Sequence, residues 1–111
     1  MVKDEKIKKL IKEMVGKIVS SYKPVKIILF GSYAFGEPDQ DSDIDFLIIK
    51  DTDERPIDRR VNVRTIVSDP KRFIPFDPIV LTSGELEERI RIGDQFIEEI
   101  LKTGEVLYEA S

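Results

Sequence analysis

Apolar positions set the framework of the 111-residue chain. Ile7, Leu10, Ile11, Met14, Val15, Ile18 and Tyr22 recur at i, i+3, i+4, i+7, which is one face of an amphipathic helix over residues 4–22. Lysines fill the opposite side, and Pro24 stops the helix. Val25 to Phe30 is a short, largely apolar run that halts at Gly31, the pattern of a buried strand. Residues 31–43 are rich in Gly, Pro, Asp and Ser and read as a loop, with one helical turn at Tyr33 to Phe35. A second buried strand follows from Ile44 to Ile49, then a polar turn at 51–54.

Residues 56–67 carry two patterns. Val61, Val63, Thr65 and Val67 alternate like a strand, while Pro56 suits the first position of a helix. Two buried strands need a connection between them, and that decides for a helix with Arg59, Arg60 and Arg64 on a polar side. Ser68-Asp69-Pro70 breaks it. Phe76 to Leu81 is a third strand, pushed by Pro78 towards an edge or a strand start. Thr82-Ser83-Gly84-Glu85 matches a capping box, so a helix should follow with Leu86 and Ile90 inward and its charges solvated. Another helical stretch covers Phe96, Ile97, Ile100 and Leu101, with Gly104 as its C-terminal cap, and Val106-Leu107-Tyr108 closes the chain. This order predicts a single domain over residues 1–111 of α+β class (an α/β mixed sheet), with about three strands covered by helices.

Composition narrows the chemistry. Charged residues reach 36% and the formal net charge is −4. An acidic chain with scattered lysines and arginines is a poor binder of nucleic acid, because phosphate contacts need clustered cations. The prevalence of Lys, Glu and Ile matches the bias of proteins from hot environments. The chain has no Cys and no His, which rules out thiol chemistry, a Ser-His-Asp triad and a histidine metal site. Any catalytic metal would sit on oxygen ligands, as magnesium, calcium or manganese do. No run approaches a membrane span, and Met1 to Glu5 does not lead into a signal-peptide apolar core. The expected location is the cytoplasm.

Three features at strand ends carry the candidate chemistry. Gly31-Ser32 directly follows a strand; a glycine admits close approach of a phosphate, and a serine at a helical start offers its hydroxyl and backbone N–H groups. A tight turn with a serine cap would look the same. Asp43-Ile44-Asp45 opens the second strand, so its two carboxylates share one face while Ile44 enters the core. Asp77 heads the third strand. If the second and third strands run parallel and the first runs antiparallel to them, all three carboxylates and Gly31-Ser32 meet at one sheet edge. Carboxylates around a phosphate loop are what two-metal phosphoryl or nucleotidyl transfer needs.

Gly31-Ser32, ten residues, then Asp43-Ile44-Asp45 resembles the signature of the DNA polymerase β-like nucleotidyltransferase superfamily. The stretch from Gly31-Ser32-Tyr33-Ala34-Phe35-Gly36 to Ser42-Asp43-Ile44-Asp45-Phe46 resembles its minimal nucleotidyltransferase (MNT) branch, and the element order and the tail 104–108 fit that branch. The resemblance implies that Gly31 and Ser32 hold the β- and γ-phosphates. It implies that Asp43 and Asp45 bind two magnesium (or manganese) ions, with Asp77 as the third carboxylate. The implied reaction is attack of a hydroxyl on the α-phosphate of a nucleoside triphosphate such as ATP, with pyrophosphate leaving. Many members of the branch pair with HEPN-domain toxins as antitoxins, and some transfer AMP to a tyrosine of the toxin.

Two positions depart from the pattern. Relatives often carry arginine at Phe35 and a basic residue near Asp39; Arg59, Arg60 or Arg64 are the candidates to replace those cations. Tyr33 is open to two readings, a base-stacking ring or a packed loop aromatic. Two functions compete: a transferase acting on a partner protein, favoured by Asp43, Asp45 and Asp77, and a non-catalytic binding module, favoured by the missing arginines. Antibiotic adenylylation is disfavoured, since such enzymes carry an added helical domain for which 111 residues leave no room.

Overall fold

The computed structural model describes residues 2–111. Helix α1 (Glu5–Tyr22) starts at Asp4, whose side chain accepts hydrogen bonds from the Lys6 and Ile7 N–H groups, and ends as Lys23 turns left-handed before Pro24. Strand β1 (Lys26–Phe30) leads into a single helical turn, α2 (Ser32–Phe35), and β2 (Ile44–Ile49) follows. The ambiguous segment is helical, α3 (Pro56–Ile66), with Pro56 in its first turn. Then come β3 (Phe76–Leu81), α4 (Ser83–Arg91), α5 (Gln95–Thr103) and β4 (Glu105–Glu109).

The sheet has four strands in the order β3-β2-β1-β4. β1 is antiparallel to β2, and β2 is parallel to β3, so the topological condition set by the motif is met. β3 lies at an edge, where the missing N–H of Pro78 costs no ladder bond. The fourth strand exceeds the expected three. β4 pairs antiparallel with β1, with a register shift between Ile27 and Ile28. Its five residues are too few and too charged at their ends to display an alternation of their own.

Each sheet face has its own core. On the first, Ile27, Leu29, Ile44, Phe46 and Ile48 meet Ile11, Met14 and Ile18 of α1 and Val63 of α3. Phe46 and Phe76 pack edge to face at 5.1 Å. On the second, Ile28, Leu47 and Ile49 meet Ile97 and Ile100 of α5, with Leu86 of α4 against them. The capping box of α4 is present, but only half of its expected inward pair is inward: Ile90 is exposed. α4 has too few turns over the sheet to bury a second row, and no residue of it is fully buried. Gly104 does cap α5, in an extended rather than left-handed conformation. Its requirement is space, since a Cβ there would meet the Ile100 and Leu29 carbonyl oxygens and Ile28.

Candidate active site

The site begins where β1 ends. Gly31 has φ 79° and ψ −158°, a backbone region that is essentially glycine-only. A Cβ at this position would also collide with the carboxyl group of Asp45. Gly31 therefore turns the chain into α2 and admits the carboxylate at the same point. Its carbonyl accepts from the Ala34 and Phe35 N–H groups at 3.0 and 3.2 Å. The N–H groups of Ser32 and Tyr33 head the turn, where helix geometry supplies no intrahelical acceptor.

Strand register lines up the rest. Asp45 stands opposite Phe30 of β1 on one side and opposite Asp77 of β3 on the other. It shares the parity of Leu47 and Ile49, so it lies on the second sheet face, beyond the apolar cover supplied by α5. Asp43 comes two residues earlier, just before the strand. Burial, then the negative charge of Asp77, then that of Asp43 push the Asp45 carboxyl up to about 6. Such mutual strain is what a bound cation relieves.

Asp77 is held from outside. Arg60 donates to its Oδ1 at 3.3 Å, and the Arg64 guanidinium lies 3.8 Å from the same oxygen. All three carboxylates thus come to one end of the sheet, with Asp45 against Gly31, yet among the described residues no three acidic side chains close round a single point. The arginine contacts were not legible in the sequence, where α3 showed only a polar side.

The three candidate replacement arginines separate. Arg59 is buried and bound to Glu85 at 2.7 Å, to the Glu54 carbonyl at 2.9 Å and to the Val80 carbonyl. It is a structural cation and is removed from the phosphate-binding candidates. Its signal was present in the sequence: Arg59 lies four residues before the buried Val63, on the inward side of α3. Tyr33 is buried in the first core, which settles it as a packed aromatic. Asp39 builds its loop, accepting the Asp41 N–H at 2.8 Å and the Ser42 hydroxyl at 3.3 Å, and so shapes the approach to Asp43. Phe35 is exposed and, with Phe30 and Phe96, lines a small cavity of about 150 Å³ beside Gly31.

Residues 5–111 match the family model described as "Polymerase beta, Nucleotidyltransferase". The chain belongs to the polymerase β nucleotidyltransferase family. Within this family it is similar to a Methanocaldococcus jannaschii protein named "putative protein adenylyltransferase", 36% identical over 104 residues, covering 90% of this chain and 96% of that protein. It is also similar in fold to a "putative nucleotidyltransferase" from Sulfolobus solfataricus, with a TM-score of 0.61, 26% identity, and coverage of 91% of this chain and 78% of the other. The nucleotidyltransferase fold explains why one sheet end collects the acidic residues: antiparallel β1 delivers its C-terminal turn to the edge where parallel β2 and β3 begin. Among the described residues no helix is long and apolar enough to cross a membrane.

Proposed function

We propose that this nucleotidyltransferase moves AMP from ATP to a tyrosine hydroxyl of a HEPN-type toxin and so serves as its antitoxin in the cytoplasm. The observation that carries the reading is the Asp45 carboxyl lodged over Gly31 with Asp77 in register beside it. The M. jannaschii relative, whose name specifies protein adenylyltransfer, supports a polypeptide acceptor.

Gly31 turns the chain into α2 and seats the Asp45 carboxyl against the backbone, and the Ser32 hydroxyl and the N–H groups at the head of α2 bind the β- and γ-phosphate oxygens of the triphosphate beside it. A donor set of carboxylates alone, with Asp45 raised by burial and then by its acidic neighbours, fits a hard divalent cation. Asp43, Asp45 and Asp77 would hold magnesium or manganese, which supplies charge neutralisation and a lowered hydroxyl pKa. The phenolic oxygen of the acceptor bonds to the α-phosphorus. The bond from that phosphorus to the bridging oxygen breaks, and pyrophosphate leaves with the electron pair. The phenolic proton, bound near pKa 10 in free tyrosine, passes to the Asp77 carboxylate.

The alternative is a binding module that neutralises its partner by contact. The engagement of Asp77 by Arg60 and Arg64, and the apolar Phe35, favour it. Intact-mass spectrometry of a HEPN-type protein incubated with this chain, ATP and magnesium separates the two. Wild type should add the mass of AMP, and Asp45→Ala should add none. If neither adds mass and both still block the toxin, the module reading replaces the enzyme.

A further inference from the structure

Helix α3 has a second face. Its inward face buries Arg59 and Val63. Ile57, Arg60, Val61 and Arg64 follow i, i+3, i+4, i+7 and form another stripe. This stripe is open: Ile57 is 60% and Val61 54% exposed, and the Arg60 and Arg64 side chains are 45% and 51% exposed. Apolar side chains interleaved with arginine on a helix face are the composition of a protein-binding surface. Nearby Arg55 is already engaged with Asp58 at 2.9 Å, whereas Arg60 and Arg64 share one oxygen of one carboxylate. Asp77 alone does not match two guanidinium groups, although Asp45 and Asp43 lie further along the same sheet end.

The position of this charge decides what it serves. Gly31 follows β1, and β3 with Asp77 lies two strands away, across β2. At roughly 4.8 Å per strand that is about 10 Å. The arginines come to Asp77 from α3, which packs on the first sheet face, and they meet it at the edge strand β3. With the triphosphate held beside Gly31, as proposed above, the β3 end of the site is the part left for the acceptor, and the arginines stand at that end.

We propose that the exposed face of α3 formed by Ile57, Arg60, Val61 and Arg64 docks the acceptor polypeptide, and that it selects a segment with carboxylates beside the hydroxyl to be modified. This rests on the transferase reading above. A carboxylate on the acceptor accepts paired N–H bonds from Arg60 and Arg64. It takes them from Asp77, which then becomes available to the incoming hydroxyl. Ile57 and Val61 bury an apolar pair of the same segment one turn away. Docking and release of the third carboxylate are then a single event, and an acceptor without the acidic residues meets a site whose Asp77 is still engaged.

Two synthetic tyrosine peptides test this, identical except for glutamate or glutamine on both sides of the tyrosine, each with the same leucine pair one turn away. Binding is read by fluorescence anisotropy, and transfer by AMP mass in the presence of ATP and magnesium. The glutamate peptide should bind and react about tenfold better, the scale of a charge-assisted pair. Arg60→Glu/Arg64→Glu, on a solvent face and checked for fold by circular dichroism, should reverse the preference towards a lysine-flanked version. Equal reaction of both peptides overturns the docking proposal and leaves the transferase reading standing. Binding of the glutamate peptide that the double variant abolishes, with no mass added to any peptide, supports docking and counts against transfer to polypeptides. Absence of both binding and mass overturns the docking proposal.

Discussion

Gly31 and Asp45 occupy each other's space, so a change in either reaches both. Gly31→Ala places a side chain in a glycine-only backbone region and against the Asp45 carboxyl. It should destabilise the fold by about 1–3 kcal/mol in urea denaturation and eliminate nucleotide transfer in the mass assay. Asp45 works in the other direction. Its folded-state pKa is raised to about 6, so the folded chain holds that proton more tightly than the unfolded chain does. The stability linked to that proton is complete below the ordinary aspartate range and is lost as pH rises through about 6. Asp45→Asn should therefore melt higher than wild type at pH 8 without added metal, with the gap closing towards pH 4, while transfer is lost. Differential scanning calorimetry across that range reads the sign directly. That Gly31, Ser32, Asp43, Asp45 and Asp77 come to one sheet end could be read from the sequence, because their spacing from strand ends fixes where they go. The arginine partners of Asp77 could not, since a helix face and a strand head in different parts of the chain say nothing about their contact until the two are packed.

At the scale of elements, α3 joins β2 to β3 and carries Arg59 into the space between β3 and α4. The guanidinium satisfies the Glu54 and Val80 carbonyls and, ahead of the Thr82 N–H, holds the Glu85 carboxyl below its ordinary range. Glu85 closes the capping box of α4, so one cation ties the end of β3 and the start of α4 to α3. Arg59→Ala should cost about 2–3 kcal/mol, less than a fully buried pair because Glu85 is part-exposed. Glu85 is a lowered carboxyl, so its share is present above the ordinary glutamate range and fades as pH falls through the folded value. The difference between wild type and variant in chemical denaturation should accordingly shrink in acid. α1, β1, β2 and β3 were legible as elements because long or strongly apolar runs define them, and α3 because two buried strands need a connection between them. β4 was not, since half-exposed strands on a sheet edge are shaped by their neighbour, here β1, rather than by their own pattern. The expected burial of Ile90 failed for a related reason: periodicity marks which side chains share a face, while the extent of the covered surface depends on how far the sheet reaches beneath it.

For the molecule as a whole, the mixed sheet concentrates negative charge at one end. A divalent cation bound there stabilises the folded state by mass action. Titrating magnesium should raise the wild-type melting temperature and leave Asp43→Asn/Asp45→Asn unmoved; equal shifts would place the binding elsewhere. The strand order has a further consequence in time. Asp45 rides on β2, flanked by β1 and β3, whereas Asp77 rides on an edge strand bonded on one side only. Edges open by local fluctuation at lower free energy than strands in the middle of a sheet. Deuterium should enter the amides of β3 before those of β2. Warming should then silence the enzyme below the temperature at which it unfolds, because the outermost carboxylate leaves its post while the rest of the sheet is still intact.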